Sequence, residues 1–140
     1  MKELIGNVPK ESGWIKKYRL HQGWWRAFVL AEEEGKYWDD KNKKQSSVCN
    51  RINDGEKSLK NFLSHEIVQT VRESIKLNQK TKSGIIDVDR LYNNLLSSQP
   101  LAFNFFGYFK NNPELALEFI KTLRPDITKV EDVVFEYAPS

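Results

Sequence analysis

The sequence predicts an α+β fold, mostly helical, that runs into a strand at its C-terminal end. Three observations carry this. Apolar residues recur at steps of three and four along most of the chain, and cap-type residues stand where several of those segments begin. The final stretch, "KVEDVVFEYAPS", alternates instead. The 140 residues read as one region, with a basic helical part over 1–84 and a second part over 85–140.

Residues 14–34 are expected to form a helix, with Trp14, Tyr18, His21, Trp25 and Phe28 as one buried stripe and Gly35 as its cap. Gly23 interrupts the pattern, and Lys16, Lys17, Arg19 and Arg26 fall mostly off it. The adjacent Trp24 and Trp25 point about 100° apart on a helix, so one is expected in the core and the other partly exposed. Residues 36–58 are polar and basic and read as a long loop with a turn at Asp54-Gly55, functional or mobile for its length. Leu63, Ile67, Val71 and Ile75 step by four, which predicts a helix over 59–78.

Asp87 is a natural N-cap for a helix from Val88 to about Ser98, with Leu91 and Leu95 inward. Pro100 is expected to open a further helical piece carrying Phe103, Phe106 and Phe109. Asn112-Pro113 marks the start of the last helix, with Leu115, Phe119 and Leu123 buried and Pro125 as its stop. The closing strand would place Val133, Phe135 and Tyr137 on one face and Val134, Glu136 and Ala138 on the other. A lone strand cannot bury unpaired backbone groups, so it requires a partner strand.

Charge is unevenly spread. Residues 1–84 hold 17 Lys and Arg against 11 Asp and Glu, whereas 85–140 hold 5 against 8. This agrees with a polyanion partner, and a solvated helical surface is the commoner source of such a pattern. One cysteine, Cys49, permits no intrachain disulfide, and with His21 and His65 it is too little for a structural zinc site. No apolar run of signal-peptide length opens the chain. The charge-free run 91–109 carries Asn, Ser, Gln and Pro, which are costly in lipid. A cytoplasmic protein with no membrane association is expected.

The stretch "NLLSSQPLAFNFFG", Asn94 to Gly107, sets Ser97, Ser98, Gln99 and Asn104 among apolar residues around a proline. It resembles a segment of a family of bacterial restriction endonucleases in the PD-(D/E)XK nuclease superfamily. "IDVDRLYN", "RLHQGWWR" and "VVFEYAP" are similar to three further segments of that family, in the same order. The resemblance covers most of the chain and is weakest in the loop over 36–58. It implies a Mg²⁺-dependent DNA endonuclease, in which carboxylates hold the metal and a lysine orients the attacking water. In that family the Asp and the Glu-x-Lys follow the last of these segments. The chain therefore reads as a helical region leading into the first strand of a truncated α/β PD-(D/E)XK-like core, inactive alone.

Within that reading Glu136 is the candidate catalytic and metal-binding carboxylate, and an edge-strand carboxylate otherwise. Arg19, Gln22, Arg26 and Arg90 are candidate DNA contacts, since guanidinium matches phosphate geometry; each also reads as an ordinary helix-surface group. Ser97, Ser98, Gln99 and Asn104 line a DNA-facing cleft, satisfy the polar groups of a helix junction, or do both. Lys41, Lys43 and Lys44 add nonspecific backbone affinity or are simply solvated. The alternatives are a non-catalytic helical DNA- or protein-binding module and an inert gene remnant.

Overall fold

The computed structural model describes residues 2–81 and 84–137. In chain order the elements are α1 (Lys2–Ile5), α2 (Gly13–Trp24), a π-helical turn (Trp25–Val29), β1 (Lys36–Asp39), β2 (Lys44–Ser47) and α3 (Gly55–Ser58). There follow α4 (His65–Thr81), α5 (Val88–Asn93), α6 (Ser98–Phe106), a 3-10 turn (Gly107–Asn111) and α7 (Pro113–Leu123). The α+β class holds, with β1 and β2 forming a two-stranded antiparallel sheet. The chain falls into two compact units, Met1–Asn61 with Asp89–Pro100 and Phe62–Val88 with Leu101–Ser140.

The first unit is built around residues 48–52. Val48, Cys49 and Ile52 are buried together with Leu91 and Tyr92. An isolated antiparallel bridge joins Arg51 to Asn94, and hydrogen bonds from Ile52 N to Asn93 O (3.0 Å) and Leu95 N to Asn50 O (2.9 Å) extend it. Gly55 sits against this seam: a Cβ there would stand 2.1 Å from the Tyr92 carbonyl oxygen, so only glycine fits.

Helix α2 packs inside out relative to the sequence expectation. Trp14, Tyr18, Trp25 and Phe28 are exposed, as are His21 and Trp24. Gly23 and Arg26 are buried instead, with Arg19 half-buried. The physical reason lies in what the inward face touches. Gly23 lets residues 48–50 approach the helix, and the guanidinium of Arg26 reaches backbone carbonyls that need donors.

The loop expected over 36–58 contains the hairpin. Lys36 pairs with Ser47, Tyr37 with Ser46, Trp38 with Gln45 and Asp39 with Lys44. Four residues, Asp40 to Lys43, make the turn, and Lys43 adopts a left-handed φ of 48° to close it. The Asp39 carboxylate accepts from the Lys41 and Asn42 amides and from Asn42 Nδ2, which fixes the turn locally.

In the second unit α4 follows its expected stripe. Ile67, Val68, Thr70 and Val71 are buried and Ile75 is half-buried; Leu63 precedes the helix and is exposed. Thr70 Oγ1 donates to the Gly107 carbonyl at 3.1 Å, which joins α4 to the 3-10 turn. Phe103 is fully buried and stacks on Phe135 at 4.2 Å. Helix α7 begins at Pro113 as expected, but the Asn112 side chain turns back to the Tyr108 carbonyl rather than capping it. Its Leu115, Phe119 and Leu123 are exposed and Ala116 is the buried residue, which reverses the expected stripe.

The strand expected at the C-terminal end does not form among the described residues. Residues 129–134 are irregular, residues 135–136 form a bend, and Glu136 takes a left-handed φ of 53°. Among the described residues no second strand there supplies the ladder partners a strand needs, and the Phe135 ring packs on Phe103. Ala138, expected on the far face of that strand, lies outside the described residues.

Candidate nucleic-acid interface

The first unit holds a cluster of charged and amide side chains. Arg19 donates from Nε and Nη2 to Glu11 at 2.7 and 2.8 Å, a bidentate pair, and from Nη1 to Asn50 Oδ1 at 2.5 Å. Asn50 Nδ2 donates in turn to Asn94 Oδ1 at 2.7 Å. The hydrogen bond from Arg19 holds the Glu11 carboxyl below its usual range, and Glu11 raises the Arg19 guanidinium above its own. Arg51 donates to Asp89 Oδ1 at 2.6 Å and lies 5.4 Å from the Tyr37 ring centroid. Partial burial opposes ionisation of Asp89, yet hydrogen bonds from Asn93 and Arg51 outweigh it and keep this carboxyl low.

Arg26 serves the fold. It is 3% exposed and donates from Nε to the Cys49 carbonyl (2.8 Å), from Nη2 to those of Ile5 (3.0 Å) and Leu4 (3.3 Å), and from Nη1 to that of Glu32. Four carbonyls from three segments thus depend on one side chain. Gln22, from the same helix, is half-buried, and Arg90 stands exposed on α5.

The polar junction before α6 is compact. Ser97 is buried and its Oγ accepts from the Gln99 amide at 3.4 Å, an N-cap for a helix that begins at Ser98, two residues before the expected proline start. Gln99 and Pro100 are buried and Ser98 is exposed. In the second unit Asn104 Oδ1 accepts from the Leu63 amide at 3.0 Å, which explains a carboxamide among phenylalanines. Glu136, half-buried in its bend, also belongs to that unit. Arg19, Gln22, Arg26, Arg90, Ser97, Ser98 and Gln99 therefore share one unit, and Asn104 and Glu136 the other.

Two features escaped the sequence reading. One is the pair Asn50 and Asn94, whose link depends on a bridge between segments far apart in sequence. The other is the hairpin, which displays Lys36, Trp38, Lys41, Lys43 and Lys44 to solvent. Its signals were present in "KYWDDKNKK", two aromatic strand formers before an Asp-rich turn. Cys49 is fully buried, and burial pushes its thiol up.

Among the described residues no three His, Cys, Asp or Glu side chains gather to hold a metal ion, and no helix is long and apolar enough to cross a membrane. No curated protein and no solved structure matches the chain. A family model described as the PD-(D/E)XK nuclease superfamily matches residues 9–140. That match spans nearly the whole sequence, and the chain belongs to the PD-(D/E)XK nuclease superfamily.

Proposed function

We propose that the chain works within a restriction-type DNA endonuclease that depends on Mg²⁺, and that its own part is to bind DNA rather than to cut it. Superfamily membership over residues 9–140 carries this reading. The charge distribution supports it: the first unit carries 14 Lys and Arg against 10 Asp and Glu, and the second 8 against 9. A divalent ion in such an enzyme polarises the phosphoryl oxygen and activates water. The described residues do not fit that ion, since no acidic cluster forms around Glu136 or elsewhere among them. No step through a metal is assigned to this chain.

A second reading, a non-catalytic module that docks a protein, is favoured by the exposed aromatic face of α2. Binding of a labelled DNA duplex and nicking of supercoiled plasmid, with Mg²⁺ or with EDTA, separate the readings. Salt-sensitive binding without nicking is the expected result. Nicking that EDTA abolishes would place a working metal site in the chain and overturn the non-catalytic role. Absence of any DNA binding favours the protein-docking module.

A further inference from the structure

The β1–β2 hairpin is an arm held firmly at its base. Gly35 N donates to the Arg51 carbonyl at 2.8 Å, Lys36 N to Asn53 Oδ1 at 3.1 Å, and Asn7 Nδ2 to the Ser47 carbonyl at 2.8 Å. Ser47 Oγ donates to Glu34 at 3.0 Å. One face of the arm is occupied, because Tyr37 lies against Arg51. The other face carries Lys36 and Trp38, about 7 Å apart along the strand, with Gln45 opposite the Trp. Trp38 is 59% exposed.

The surroundings of Trp38 decide what it fits. A protein-docking patch centres on packed apolar side chains and is depleted in lysine. Here Lys36 shares the face of Trp38 and Lys41 and Lys43 stand in the adjoining turn, whereas Lys44, opposite Asp39, belongs to the Tyr37 face. Among the described residues no ion pair engages Lys36 or Lys41, and the pair between Lys43 and Asp40 is long (3.6 Å) and exposed on both sides. The Asp39 carboxylate accepts hydrogen bonds within the turn and stays ionised opposite Lys44, so its charge is set chiefly against that lysine. A ring flanked by cations is the arrangement that stacks a nucleobase and neutralises its flanking phosphates. In an intact duplex the base faces are already stacked, so an aromatic ring finds a free base face where a base is unpaired.

We infer that the hairpin grips a single-stranded or unpaired segment of nucleic acid, with Trp38 stacked on a base and Lys36, Lys41 and Lys43 on the phosphates. This rests on the nucleic-acid reading above and narrows its substrate. The test uses the full chain and fluorescence anisotropy of one labelled DNA oligonucleotide, single-stranded and as its duplex. Trp38→Ala is expected to weaken single-strand binding about 10-fold and leave duplex binding nearly unchanged, while Trp38→Phe retains most of the affinity. Replacing these three lysines by Gln is expected to flatten the salt dependence of single-strand binding by about 2 logarithmic units per decade of salt. Thermal melting of each variant confirms that it is folded.

If the wild type binds DNA and neither replacement changes that binding, the hairpin is not the contact and the inference falls, while the nucleic-acid reading survives. If Trp38→Ala weakens duplex and single strand equally, the unpaired-base assignment is wrong. If the wild type binds neither form, the nucleic-acid reading fails and takes this inference with it.

Discussion

At the scale of single residues, arginine in this chain has two careers that its sequence context does not separate. Arg19 and Arg26 lie seven apart, two helical turns, and both point inward. Arg26 ends on four carbonyls and Arg19 on a carboxylate and an amide. Each set joins a partner within about two helical turns, Glu32 or Glu11, to partners far off in sequence, Cys49 with Leu4 and Ile5 or Asn50, so the local pattern alone does not mark these residues as structural. The ion pairs give a testable pH dependence. Glu11 and Asp89 have carboxyls lowered in the folded chain from 4.5 and 3.8. A depressed folded value means that the stabilisation is complete above the unfolded value and is lost as pH falls through the folded one. The melting temperature should therefore be flat from pH 7 to about 5 and decline below about pH 4.5. Glu11→Gln and Asp89→Asn should each lower the neutral-pH melting temperature and reduce the acid decline. A variant that melts like the wild type at pH 7 would show that its pair contributes nothing.

At the scale of elements, periodicity located helices well and oriented them poorly. Helix α7 begins at the expected Pro113 and α4 at His65, well after the expected residue 59; α4 buries Ile67 and Val71 of its expected stripe, yet α2 and α7 turn their aromatic and leucine rows outward. A stripe shows that a helix has a face; which face a neighbour takes depends on contacts distant in sequence. In α2 the deciding residue is Gly23, which looked like a flaw in the pattern. A Cβ there would lie 2.9 Å from both Cys49 Cβ and Ile5 Cγ2. Gly23→Ala gains up to about 1 kcal/mol of helix propensity but overpacks against the Cys49 and Ile5 side chains, at a cost of about 1–3 kcal/mol. Trp14→Ser, at a residue 69% exposed, should change stability by no more than about 0.5 kcal/mol. Urea unfolding of the two variants ranks the faces: a larger loss for Trp14→Ser would mean that the aromatic stripe is the buried side after all. The hairpin's signal was weak for a different reason. Its strands are four residues each, too short for alternation to stand out from a polar background.

At the scale of the whole molecule, the resemblance in "NLLSSQPLAFNFFG" proved the most informative line of sequence, because it pointed to the superfamily that matches 9–140. It did not disclose that the chain is divided into interleaved units. Each unit is made of two separated segments, and the core of the first draws on both: Val48, Cys49 and Ile52 from one, Leu91 and Tyr92 from the other. The bridge from Arg51 to Asn94 and the amide pair Asn50–Asn94 tie the same two segments. Buried apolar side chains and a buried amide lose their partners together if 89–100 is removed, and a unit this small has little stability in reserve. A polypeptide of residues 1–61 should therefore show no cooperative thermal transition by circular dichroism, although the full chain does. Adding residues 62–140 as a separate polypeptide should restore part of it, since those residues supply Leu91, Tyr92 and Asn94. A cooperative melt by 1–61 alone would mean that the basic helix and hairpin fold independently, and that residues 89–100 are an ornament to that unit and not part of its core.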